Sequence, residues 1–350
     1  MNHARLAYFP QNLIGDALVW VNQAWMLDTV LVMRRQTLCE TTIFCTKGVA
    51  ELFRCFTLFQ KVVEYDPATP WTAEEVRGFG HFDLVANSRY DADSAARVEA
   101  LDHDEVCGFE NIDIPEAVCK RIYDRYVPLS RWDDFHLRRE TSVTEQGGEL
   151  IRLYNPEFHE DYIEIGKSEF VREAPEPTDV PRVVFVLGAS NPAKRWRLEN
   201  YLELALRLRT KGLRPLFLLG PGERNLAPRV AEAGFETGVC LSFRKIAGLF
   251  DPDYGTACAV GNDTGLMHLA CMLGAPSVTI MPHGTHFTWF PYAADERARH
   301  VCLAPKCAAP MCANECGSVA ECVEKISVEN VERAILSIVG LVAKREDECE

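Results

Sequence analysis

The chain has 350 residues, 47% of them hydrophobic and 25% charged, with a net charge of −14. That composition excludes a disordered, collagen-like or coiled-coil protein, and the length suits two domains. The charge is one-sided: residues 1–180 hold 18 basic and 32 acidic side chains, residues 181–350 hold 19 of each, and so acidic a first half argues against broad nucleic-acid binding, which needs basic surface.

The first segment, MNHARLAYFPQNLIGDALVWV, carries short apolar runs broken by Gln11, Asn12 and Asp16. It does not read as an export signal, so a cytoplasmic location with reduced thiols is expected. Leu6–Phe9 reads as a strand and Gly15–Leu27 as the helix after it. Thr42–Cys45, Lys61–Tyr65 and Phe82–Ala86 are further short strands. Residues 91–170 are acidic and aromatic, with a helical patch at Pro115–Tyr126, and give no clear assignment. VREAPEPTDVPR at 171–182 has three prolines and three acids and reads as a linker.

A second alternating series follows. Val183–Leu187, Pro215–Leu219, Gly238–Leu241, Ala257–Gly261 and Ser277–Met281 read as strands. Leu198–Lys211 reads as a helix stopped by Gly212. Asn225–Ala233, Phe243–Leu249, Thr264–Leu273 and Val328–Lys344 read as further helices. Ala334–Ala343 is the nearest approach to a membrane span and is too short for one. Strands separated by helices imply βαβ units, hence an α/β chain of two doubly wound domains. The expected division is 1–172, a linker at 173–182, 183–335, and a helix end and tail at 336–350. Ligands of such folds bind at the C-terminal ends of the strands.

Three polar loops leave the C-terminal ends of strands in the second half. Val260-Gly-Asn-Asp-Thr-Gly-Leu-Met-His-Leu-Ala270 ends a strand and opens a helix at Thr264 and Gly265, where unpaired N–H groups and the helix dipole attract phosphate. Asp263 and His268 share one site if Asp263 lies in the turn; the alternative makes Asp263 an N-cap and His268 a partly buried helix residue. Gly188-Ala-Ser-Asn-Pro-Ala-Lys-Arg-Trp196 offers the Ser190 hydroxyl and the Lys194 charge to a phosphate, or is a solvated loop with a helix-initiating Pro192. Leu219-Gly-Pro-Gly-Glu-Arg224 offers Glu223 to a ribose or base, or is a plain turn. In the first half, Asp16 sits near the start of a helix. It is either an acid favoured by the dipole or a base for an acceptor hydroxyl.

These motifs together resemble the family 9 glycosyltransferases, the ADP-heptose:lipopolysaccharide heptosyltransferases. Gly15-Asp16 with its apolar helix is similar to the family's N-terminal loop, Pro192-Ala-Lys-Arg-Trp196 to its phosphate loop, and Asn262-Asp-Thr-Gly-Leu-Met-His-Leu-Ala270 with Leu273-Gly-Ala-Pro276 to its most characteristic motif. Asn22 replaces a proline of the family's first helix, and Ala189 replaces a hydroxyl found in some members. The resemblance implies a GT-B fold, two Rossmann-like domains facing a central cleft. It also implies inverting transfer of a heptose or similar sugar from an ADP-sugar to a lipopolysaccharide core-type acceptor, with no metal required. It assigns Asp16 as the catalytic base, Ser190 and Lys194 to the diphosphate, Glu223 to the nucleoside, and Asp263, Thr264, Gly265 and His268 to the donor turn. The implied partners are a nucleotide sugar and a glycolipid or other sugar acceptor, met by peripheral contact with the inner face of the membrane. Heptose transfer to protein and non-catalytic nucleotide-sugar binding stay open as alternatives.

Fourteen cysteines are present. Five cluster at Cys302, Cys307, Cys312, Cys316 and Cys322. The last four could hold a structural metal, although the spacing lacks paired CxxC knuckles; disulfides and free thiols are the other readings.

Overall fold

The computed structural model describes residues 3–89, 91–111, 113–130, 143–157, 169–282, 300–305 and 319–340. The chain divides into two compact units, Met1–Ile165 and Gly166–Glu350. Each unit holds one six-stranded, fully parallel sheet.

In the first unit the strands are β1 (Ala4–Phe9), β2 (Cys39–Thr46), β3 (Lys61–Tyr65), β4 (His81–Asn87), β5 (Asp102–Phe109) and β6 (Arg125–Val127). Their order is β3-β2-β1-β4-β5-β6, so the chain reverses direction across the sheet between β1 and β4. Ligands of doubly wound sheets bind at such a switch point. The core is strongly aromatic: Phe9 stacks on Phe44 with centroids 5.1 Å apart, and Phe79 and Phe82 meet Phe44 edge-on.

The single helix expected over Gly15–Leu27 is two, α1 (Ile14–Val19) and α2 (Val21–Arg35), broken at Trp20. The Trp20 carbonyl accepts from the Tyr8 hydroxyl at 3.1 Å and the Gln23 N–H at 3.0 Å, and its indole stacks on Phe109. A carbonyl captured from the strand side leaves the regular i to i+4 ladder, and the helix turns there. The helical patch expected at Pro115–Tyr126 is a helix only over Glu116–Ile122, and Arg125–Val127 is the edge strand β6.

Arg34, Arg35, Arg121 and Arg125 of the first half lie away from α1. Arg34 and Arg35, at the end of α2, pair with Glu105 at 3.1 Å and with Asp104 at 2.9 Å. Arg125 pairs with Glu105 at 2.8 Å, and Arg121 with Glu99. Asp104 and Glu105 belong to the N-terminal end of β5, so these cations meet acids at the sheet edge opposite the one that carries α1. Arg138 and Arg139 lie outside the described residues.

The second unit holds β7 (Arg182–Val186), β8 (Arg214–Leu219), β9 (Glu236–Val239), β10 (Thr256–Asn262), β11 (Ser277–Ile280) and β12 (His300–Leu303), in the order β12-β11-β10-β7-β8-β9. Here the switch point lies between β7 and β10. Every residue of β7 is buried, as a parallel strand covered on both faces requires. Phe185 stacks on Phe217 at 4.7 Å. Gly261 is needed at the β7–β10 contact: a Cβ there would lie 2.5 Å from the Val186 carbonyl oxygen.

Three expectations shift in this unit, the first being the strand expected over Gly238–Leu241, which is β9 at Glu236–Val239. The helix expected over Asn225–Ala233 is a 3-10 turn at Pro221–Leu226 followed by a helix at Ala227–Glu232, with proline in each first turn. The closing helix runs from Val328 to Ile338 and Gly340 follows at φ +76; the expected continuation over 341–344 lies outside the described residues. The proline-rich stretch before β7 packs on the helix Phe243–Phe250. The Glu173 N–H donates to the Arg244 carbonyl at 3.0 Å, and a Cβ at Gly248 would lie 1.9 Å from the Glu173 carbonyl oxygen. Arg172 pairs with the buried Asp251 at 3.1 Å. Arg182, placed by the sequence at the end of the linker, is buried in β7.

Candidate functional site

The loops after β7, β8 and β10 leave the same edge of the second sheet, because β10, β7 and β8 are neighbours. The switch point therefore brings together the loop with Lys194 and the turn with Asp263. Lys194 ends the 3-10 turn Pro192–Lys194, which Asn191 caps by accepting from the Ala193 N–H. Its Nζ donates to Asp263 Oδ2 at 2.7 Å. The Asp263 N–H in turn donates to the Ile280 carbonyl at 3.1 Å, which fixes the turn to β11.

Asp263 is therefore a turn residue and not an N-cap. The N-cap of the helix Gly265–Met272 is Thr264, in extended conformation, and its hydroxyl makes no capping bond. The first turn of such a helix presents N–H groups that its own ladder does not use. Lys194, in its ion pair with Asp263, thus stands beside the helix start at Thr264 and Gly265, and an ammonium beside free helix N–H groups suits phosphate oxygens.

His268 is fully buried one turn into this helix, at 2% exposure, rather than partly buried. Burial pulls its imidazolium down to about 4, Asp263 opposing and Lys194 adding to the effect. The ring therefore stays neutral at physiological pH and can lend a single N–H or lone pair, not a charge.

Glu223 lies in the loop after β8, 8% exposed. Its carboxylate sits against two glycines: a Cβ at Gly188 or at Gly220 would approach Glu223 Oε2 to 3.1 or 3.0 Å. Arg195 lies 3.5 Å from Glu223 and also donates twice to the Ala189 carbonyl, at 3.0 and 2.8 Å. This arginine ties the β7 and β8 loops together. Ser190 is exposed on the β7 loop.

The sequence did not single out Asn262 or Arg195 for a role. Asn262, the last residue of β10, is completely buried. Its Oδ1 accepts from the Trp196 N–H at 2.9 Å and from the Tyr201 hydroxyl at 3.0 Å, and its Nδ2 donates to the Leu187 carbonyl at 2.7 Å. One side chain thus locks both ends of the Lys194 loop to β10. A polar residue closing an otherwise apolar strand, TACAVGN, was the available signal.

Asp16 belongs to the other unit. It lies half-buried in the first turn of α1, beyond the C-terminal end of β1. The loop before it is tied to its neighbours: Gln11 donates to the Ser88 carbonyl, and Thr46 donates to Asn12 Oδ1 at 3.1 Å. Ser88 follows β4, so Asp16 stands beside the switch point of the first sheet.

Of the proposed metal ligands, Cys307, Cys312 and Cys316 lie outside the described residues, while Cys322 is buried; Cys302 is a free thiol on β12. Among the described residues no group of three or more His, Cys, Asp or Glu side chains could hold a metal ion.

Residues 74–316 match the model of glycosyltransferase family 9 (heptosyltransferase). The chain belongs to that family. Lipopolysaccharide heptosyltransferase 1 of Pseudomonas aeruginosa is 27% identical over 209 residues, which cover 59% of this chain and 56% of that protein, a little over half of each. Among solved structures, the family 9 glycosyl transferase of Veillonella parvula aligns with a TM-score of 0.74 at 15% identity, over 98% of this chain and 99% of that one. Escherichia coli ADP-heptose lps heptosyltransferase II aligns with 0.72 at 13% identity, over 96% and 99%. Escherichia coli heptosyltransferase WaaC, solved with ADP-2-deoxy-2-fluoro heptose, aligns with 0.67 at 20% identity, over 95% and 98%. At these identities the likeness is one of fold.

Proposed function

We propose that the chain is an inverting glycosyltransferase that moves a heptose from ADP-heptose to a hydroxyl of a lipopolysaccharide core-type acceptor. The observation that carries this reading is the corner at the second switch point, where Lys194 and Asp263 meet at 2.7 Å beside the start of the helix Gly265–Met272. A leaving diphosphate gathers negative charge as the sugar departs. Lys194 and the N–H groups at Thr264 and Gly265 meet that charge, and no metal is required. Ser190 adds a hydroxyl to the diphosphate. Glu223 accepts from the nucleoside, and neutral His268 supports the donor turn from within. Asp16 takes the proton of the acceptor hydroxyl as its oxygen attacks the anomeric carbon, and the sugar leaves ADP from the opposite face.

The same reading puts the enzyme in the cytoplasm, in peripheral contact with the inner face of the membrane. No helix of the described residues is long and apolar enough to cross a membrane. The test is the stereochemistry of transfer from ADP-heptose to heptose-deficient lipopolysaccharide, followed by NMR of the new linkage. Inversion at the anomeric carbon is expected; retention would require a different role for Asp16 and sink the mechanism.

A further inference from the structure

We propose that a buried network of Tyr8, Ser88 and Gln23 positions Asp16 for proton transfer, an inference that rests on the reading of Asp16 as the base. The network joins three elements at the first switch point: Tyr8 is on β1, Ser88 follows β4, and Gln23 is in the first turn of α2. All three side chains are buried. The Tyr8 hydroxyl contacts the Trp20 carbonyl at 3.1 Å and Gln23 Oε1 at 2.9 Å, and Ser88 Oγ contacts the Tyr8 hydroxyl at 2.8 Å and also Gln23 Oε1. Two hydroxyl protons thus face three oxygen acceptors, the single Tyr8 proton being shared between the Trp20 carbonyl and Gln23 Oε1, while Gln23 Nε2 is buried beside them without a hydrogen-bond partner.

The link to Asp16 is the Trp20 carbonyl, which belongs to the residue where α1 ends. The Trp20 N–H closes α1 by donating to the Asp16 carbonyl at 3.2 Å. Asp16 is therefore one hydrogen bond from the residue that Tyr8 holds. A helix of six residues has little stability of its own, so its direction is set by what grips its ends. The front end is gripped through Ser88 as well, because the Ser88 carbonyl accepts from Gln11 in the loop before α1. Burial drives the Tyr8 phenol well above its ordinary range, so it remains a proton donor to its neighbours at any working pH. Tyr8, Ser88 and Gln23 are positioning residues: they act through α1 and do not meet the reacting atoms.

Tyr8→Phe keeps the ring and removes the hydroxyl. The measurement is single-turnover ADP release from ADP-heptose, with heptose-deficient lipopolysaccharide as acceptor, in the wild type, Tyr8→Phe, Asp16→Asn and the double variant. Tyr8→Phe should slow release about tenfold, with donor KM and ADP affinity within about twofold of wild type. In the Asp16→Asn background the same change should alter the residual rate less than about twofold, because the group being positioned is gone. An unchanged rate, an equal loss in both backgrounds, or a rise in donor KM of the same size would each overturn the proposal. Ser88→Ala, a smaller lesion, should give the same pattern and serves if Tyr8→Phe does not fold. Asp16→Asn at wild-type rate, or a wild type that releases no ADP, overturns the underlying reading of the base or of the function, and either is read without any Tyr8 variant.

Discussion

Replacing Asp16 with alanine should lower transfer on the order of 10³-fold while ADP binds within about twofold of wild type. The reason is the division of groups between the two units. Lys194, Glu223, Asp263 and Thr264 all stand on the second sheet's loops, whereas Asp16 stands on α1 of the first unit. A carboxylate that only accepts a proton contributes to the transition state and little to the ground-state affinity for the nucleotide, so kcat falls and Kd for ADP does not. The checks are steady-state transfer from ADP-heptose and calorimetric titration of ADP. A variant that turns over normally removes Asp16 from the chemistry, and one that loses ADP binding moves it into the donor site.

The second large effect is expected at Lys194. Lys194→Ala should weaken ADP about 10- to 100-fold, since a charge-assisted hydrogen bond is worth roughly 1.5–3 kcal/mol and each 1.4 kcal/mol is tenfold. The rate should fall as well, because the charge on the diphosphate grows as the sugar leaves. The change also removes a cation 2.7 Å from Asp263, whose side chain is 5% exposed. Some loss of thermal stability is expected from that. The lysine is itself 20% exposed, so the loss should stay well below that of breaking a fully buried pair. Lys194→Met, which keeps the apolar stem and removes the same charge, should lose ADP affinity to the same extent as Lys194→Ala and should regain only the packing of the stem. Unchanged affinity for ADP in both variants would mean that phosphate binds elsewhere.

Much of the second unit could be read from sequence because its central strands are covered on both faces. Val183–Leu187 and Pro215–Leu219 appear as unbroken apolar runs, and helices with clear stops separate them. The first unit was harder for a physical reason. Strand β5 begins Asp102-His-Asp-Glu105, a stretch that reads as loop, yet at the sheet edge these acids meet Arg34, Arg35, Arg125 and His81. The strand's polarity is matched by partners up to 71 positions away in the chain, which no local pattern reveals. The break at Trp20 has the same origin, since it depends on Tyr8 from another element.

At the candidate site the loops were legible and their bracing was not. Strand–polar loop–helix punctuation marks Lys194, Asp263 and Thr264 from local sequence. Asn262 fixes those loops through bonds to Leu187, Trp196 and Tyr201, which are 75, 66 and 61 positions distant. A single buried asparagine has no spacing signature. Charge also gained a location. The surplus of acids in the first half is partly met by its own arginines at the edge away from α1, so Arg34, Arg35 and Arg125 are committed to ion pairs there rather than grouped beside Asp16.

The most direct measurement is ADP-heptose turnover against a panel of other nucleotide sugars, followed as nucleoside diphosphate release with heptose-deficient lipopolysaccharide as acceptor. ADP-heptose should be used at least about a hundredfold better, in kcat/KM, than UDP-glucose or GDP-mannose. Equal use of the three, or release from none of them, would contradict an ADP-heptose donor site at the Lys194–Asp263 corner.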